Sequence, residues 1–190
     1  MEFRENSKIY EIDSVDVSTF EGPLAADITK HFNGRHAFLE GYKALTTEDV
    51  IQFFKKWTLG EKFRNLEVIR MESHFDISEI RKSVEFKVLN TEVVYPFIKK
   101  FDFEEGKWSP NVPCEFTTDL YLVRKSDGHV ASVMMTTLTD ATYRRLVMGV
   151  WNMTEKEFLE KDSDWFDNNR FNGFNESVFN KLHNSRLSGF

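Results

Sequence analysis

Apolar residues recur along this chain with two different periods. From Val50 they fall at helical spacing. Val50, Phe54 and Trp57 share one face, Phe53 widens the stripe, and Ile51 and Thr58 lie beside it. Thr46 suits the N-cap, its hydroxyl accepting the backbone N–H of Asp49, whose carboxylate sits near the positive helix end. Leu59-Gly60 closes the helix. Ala37-Phe38-Leu39 before it and Leu66-Glu67-Val68-Ile69 after it are predicted strands. A strand, helix and strand with short connections favour parallel strands with the helix packed on the sheet.

Elsewhere the pattern is shorter. Ser18 to Pro23 breaks what precedes it, and a short helix from Leu24 to Phe32 follows, ended by Asn33-Gly34. Asp76 caps a helix from Ile77 to about Val84. Glu92 to Phe103 is strand-like in its β-branched and aromatic content, and Pro96 marks it as an edge strand or splits it. Asp119 to Arg124 and His129 to Met135 form a hairpin around Ser126-Asp127-Gly128, an Asp-Gly turn. Arg145 to Trp151 is a third strand. Thr154 with Glu157 makes a capping box for a short helix carrying Phe158 and Leu159. From Lys161 the chain is Asn-, Ser-, Asp- and Phe-rich without period, and a mobile tail is expected. The pattern predicts an α/β fold of mixed α+β character. A short leucine-rich-repeat-like β-α-β part precedes an antiparallel hairpin-rich sheet with a small capping helix.

Composition changes this picture little. At 190 residues, 41% of them hydrophobic, the chain is long enough for one core. A net charge of -6 disfavours a surface that tracks phosphates, so no nucleic-acid partner is expected. No segment reads as a signal peptide or membrane span, which points to an intracellular protein, cytoplasmic or nuclear, with no membrane partner.

Candidate chemistry is sparse. The five histidines lack zinc-ligand spacing, and Cys114 has no electropositive neighbour to activate it. Asp76 with Glu79 reads as a helix cap, and Asp119 with Asp127 as hairpin residues. No nucleophile-elbow, P-loop or dinucleotide motif is present. No catalytic, cofactor-binding or metal residue is therefore assigned, no cofactor is expected, and the chain reads as a non-enzyme. An enzyme whose site is assembled from residues distant in sequence is the alternative. Trp57 and Trp151 read as core. Trp108 and Trp165 are candidate exposed anchors for a partner, and Arg144-Arg145 beside Tyr143 a candidate contact to phosphate or an acidic partner.

Three pieces in order carry a resemblance. They are Gly41 to Gly60 with Leu66 to Ile69, the hairpin from Asp119 to Val133, and Leu146 to Trp151. Together they resemble the nematode F-box associated domain, type two, over residues 36–160. In that family the domain follows an F-box that docks on a Skp-type adaptor of a cullin ubiquitin ligase, and it is thought to recognise the protein to be ubiquitinated. Residues 1–35 carry no F-box motif. The resemblance thus implies three segments: 1–35 without the motif, the associated-type domain over 36–160, and the tail over 161–190. It implies a protein-interaction module with an unknown target protein, and it leaves adaptor binding unexpected.

Overall fold

The computed structural model describes residues 7–18, 23–41, 45–95, 116–138 and 143–161. Seven strands form one mixed sheet: β1 (Ser14–Ser18), β2 (His36–Glu40), β3 (Val68–Ser73), β4 (Lys87–Tyr95), β5 (Phe116–Val123), β6 (His129–Thr137) and β7 (Arg144–Thr154). Their order across the sheet is β1-β2-β3-β7-β6-β5-β4. The four helices are α1 (Leu24–His31), α2 (Thr47–Leu59), α3 (Ile77–Ser83) and α4 (Glu155–Leu159).

The first three strands are parallel, with α1 and α2 as crossovers, as the short connections require. Thr46 and Asp49 form a full capping box on α2, and Gly60 ends it at φ 74°. Asp76 caps α3 through the amides of Ser78 and Glu79. Thr154 and Glu157 box α4. Each cap lies where the sequence predicts it.

The hairpin strand read over 119–124 is Phe116–Val123 and the strand read over 145–151 is Arg144–Thr154, and three larger differences follow. The third strand is Val68–Ser73, not Leu66–Ile69, because Leu66 still turns back to the Phe63 carbonyl. The strand expected over 92–103 is instead Lys87–Tyr95. It lies at the sheet edge, and residues 96–103 fall outside the described residues. The segment ahead of residue 36 adds an unforeseen strand, β1, whose alternation Ser14-Val15-Asp16-Val17-Ser18 buries the two valines. β1 and α1 join the same sheet and core as the strands after residue 36. The β-α-β part and the hairpin part are likewise one sheet, because β3 pairs antiparallel with β7. The expected tail from 162 onward lies outside the described residues.

The main core lies between the sheet and α1, α2 and α3, built on Ile28, Phe53, Phe54, Trp57, Ile69, Met71 and Leu146. On the opposite face a smaller cluster joins Trp151, Tyr95, Phe116, Tyr121 and Phe158, the last supplied by α4. The Trp57 and Trp151 assignments to the core both hold.

The hairpin holds a charged pair. Arg124 is 4% exposed, its guanidinium 5.3 Å above the Trp57 ring. It donates to both Asp127 carboxylate oxygens at 2.9 and 3.1 Å. Burial pulls the Asp127 carboxyl up, but the Arg124 hydrogen bonds and the His129 amide outweigh it and hold it at about 2. A carboxyl lowered on folding stabilises the protein above its unfolded value, and that contribution disappears as pH falls toward the folded one. Thermal melts between pH 4 and about 2 should therefore show a steeper loss for the wild-type chain than for Asp127→Asn. Equal slopes would mean that the pair contributes nothing.

Gly128 sits in the turn at φ 77°, and a β-carbon added there would meet only Thr154 side-chain atoms, at 3.9 Å. A side chain at this position finds ordinary space but a disfavoured backbone. Gly128→Val should cost about 1–2 kcal/mol in a denaturant melt. Full stability would remove the positive φ as the reason for glycine.

Candidate functional site

Successive residues of a strand point to opposite faces. In the parallel half, Val15, Val17, Ala37, Leu39, Ile69 and Met71 enter the helix-side core. Their neighbours form the other face, and strand register aligns them in rows. Ser14, His36, Val68 and Gly149 make one row; Asp16, Phe38, Arg70 and Val147 the next; Ser18, Glu40, Glu72 and Arg145 the third. Asp16, Ser18 and Glu40 are exposed.

Glu72 is 5% exposed and is compensated from two sides. Arg145 donates to its Oε1 at 2.7 Å, and the Arg70 Nε lies 3.4 Å from the same oxygen. Arg70 also stacks over Phe38, 5.5 Å from the ring centre. The Tyr143 hydroxyl donates to the Glu72 backbone carbonyl at 3.2 Å. Burial raises the Tyr143 pKa, and Glu40 and Glu72 push it the same way, so it remains a donor at neutral pH. These contacts tie β3 to β7 across the middle of the face.

A second network lies where the three parallel strands begin. The Ser14 Oγ is 2.8 Å from His36 Nδ1, and His36 Nε2 is 3.0 Å from Glu67 Oε2. A carboxylate only accepts, so Nε2 carries a proton, and in the neutral ring Nδ1 accepts from the Ser14 hydroxyl. Arg35 lies 3.4 Å from the other Glu67 oxygen and grips Asp13 through two bonds of 2.7 and 2.6 Å. Those bonds hold the Asp13 carboxyl below the usual carboxylate range. The His36 side chain is 12% exposed and that of Glu67 46%.

A cavity of about 450 Å³ lies among the loops that lead into the same strands, lined by Tyr10, His31, Lys62 and Arg64 with Glu11 and Glu61. Phe63 beside it has φ 62°, the one positive value outside glycine among the described residues. Burial, then Asp27, raises the Tyr10 pKa. Lys62 is tied to the Lys30 carbonyl and Asn65 to that of Asn33, so much of the polar rim holds loops together.

The chain matches no family model, no curated protein and no solved structure.

Of the residues singled out from sequence, Arg145 lies on the polar face and Arg144 does not. Adjacent strand residues point apart, so the two arginines do not form a joint contact. Trp108 and Trp165 lie outside the described residues. Ser14, Glu67, Arg70 and Glu72 went unnoticed in the sequence, and His36 figured there only among the histidines without zinc-ligand spacing. The one local signal was the alternation around Val15 and Val17, which places Ser14 and Asp16 on a common face. Among the described residues no group of three His, Cys, Asp or Glu is placed to hold a metal ion. No helix among them is long and apolar enough to cross a membrane.

Proposed function

We propose that this chain is a protein-interaction module that recognises a target protein through the exposed margin of β1 and β2, at Asp16, Ser18 and Glu40. The reading takes up the resemblance of residues 36–160 to the target-recognition domain of F-box-type ubiquitin-ligase subunits. In such a role the module binds, and other subunits transfer ubiquitin. The observation that supports it is the pair of exposed carboxylates, Asp16 and Glu40, beside the Arg70–Glu72–Arg145 ion pairs. A preorganised face loses little side-chain entropy on binding, and charges at its margin select the partner by sign.

The test is affinity capture with the full chain and with Asp16→Lys/Glu40→Lys, identified by mass spectrometry. A partner held by the wild-type chain and lost from the folded double variant is the expected result. Capture indifferent to both reversals would overturn the assignment of the face. Because residues 1–35 lack the F-box motif, purified chain should not bind a Skp-type adaptor. Micromolar binding would sink that part of the reading.

A further inference from the structure

We infer that Ser14, His36 and Glu67 form a nucleophile–base–carboxylate relay that makes the Ser14 hydroxyl an acceptor for acyl groups from small esters. The relay has the geometry that activates a serine: nucleophile and base in hydrogen-bond reach, and the base oriented by a third group. Both bonds are short, 2.8 Å from Ser14 to His36 and 3.0 Å from His36 to Glu67. The orientation also sets the tautomer. Nε2–H donates to Glu67, so in the neutral ring Nδ1 turns its lone pair to the Ser14 hydroxyl. Which ring nitrogen faces the serine does not alter the chemistry, because either accepts a proton when the other carries one.

Glu67 is itself held. Arg35 reaches its second oxygen, and Asp13 clamps Arg35 with two bonds. Ser14 and Glu67 thus bond the imidazole, and Arg35 with Asp13 stands behind Glu67, all from the starts of three strands. A tie between strands would need only the first bond. Ser14 is half-buried at the beginning of β1, the outermost strand, so a substrate can approach from the sheet edge.

The step balances without any further reactant than water. Ser14 Oγ bonds to the ester carbonyl carbon as its proton passes to His36 Nδ1. The carbon–oxygen bond to the leaving alcohol breaks, and His36 returns the proton to that oxygen. Water, deprotonated by the same nitrogen, then releases the acid and restores the hydroxyl. Ser14 and His36 touch the reacting atoms, and Glu67 is a positioning residue.

The test treats the folded full chain with a fluorophosphonate probe, maps the adduct by peptide mass spectrometry, and follows p-nitrophenyl acetate hydrolysis. An adduct on Ser14 is expected, lost in Ser14→Ala. His36→Gln should slow hydrolysis by about 100-fold or more, the usual share of a general base. Glu67→Gln should lower kcat for ester hydrolysis with KM unchanged, the split expected of a residue that only orients the base. Should Ser14→Ala fail to fold, Ser14→Cys keeps the test. Its thiol should react with iodoacetamide faster than a free cysteine peptide, and the excess should vanish in Ser14→Cys/His36→Gln. A folded wild-type chain with no adduct on Ser14, or a Ser14→Cys thiol no faster than the peptide, overturns the relay. Partner capture is read separately, so failure here leaves the interaction reading standing.

Discussion

Replacing Trp57 with alanine should cost this protein about 3–5 kcal/mol, measured by urea denaturation with an unchanged m-value. The indole has no exposed surface and lies among Phe53, Phe54 and the rest of the helix-side core. Its N–H finds no hydrogen-bond partner among the described residues, so the loss is one of packing. The ring also forms the surface on which the Arg124 guanidinium rests at 5.3 Å. Truncation opens a cavity and leaves a buried cation facing it, two costs in the same direction. Trp57→Phe, which keeps a ring and gives up an unused N–H, should recover more than half of the loss. Thr46→Ala, on the same helix, should cost nearer 1 kcal/mol because it removes one cap. A Trp57→Ala loss below about 1 kcal/mol would place the indole outside the core and overturn the phase of α2.

Gly149→Val should destabilise by about 2–4 kcal/mol, although valine is the better strand former. Gly149 lies in β7, and the Tyr95 ring of the far edge strand rests against the place a β-carbon would take. The ring cannot slide aside cheaply. Its hydroxyl is 3.1 Å from the Glu67 carbonyl and 3.0 Å from that of Val150, and its edge meets Trp151 with ring centres 4.8 Å apart. A valine there must expel Tyr95 and leave those groups unmatched. The double-mutant cycle decides the cause. In a Tyr95→Ala background the cost of Gly149→Val should fall by more than half. The same cost in both backgrounds would show that the clash is not with Tyr95.

The contrast between these two positions shows what is legible in a sequence of this kind. Trp57 announced its place, because Val50, Phe54 and Trp57 repeat at helical spacing and Thr46 with Asp49 marks where the helix starts. Gly149 announced nothing, since its neighbour Tyr95 is 54 residues away and reaches it only because the antiparallel half of the sheet brings β4 over β7. Local rule and tertiary outcome even differ in sign there: propensity alone would favour valine.

By itself the sequence determined the features whose partners lie within a few residues. These are the caps at Thr46, Asp76 and Thr154, the Asp127-Gly128 turn, the phase of α2 and the mixed α/β class. Side chain and backbone amide meet there whatever the rest of the chain does. The tertiary structure decided everything that depends on register between distant strands. It decided the pairing of β3 with β7, the opposite facing of Arg144 and Arg145, the burial of Arg124 on Trp57, the Arg70–Glu72–Arg145 network and the convergence of Ser14, His36 and Glu67. Each of these depends on strands that no short window contains together. A shift of one residue in any strand would turn each of its side chains to the other face and undo the arrangement.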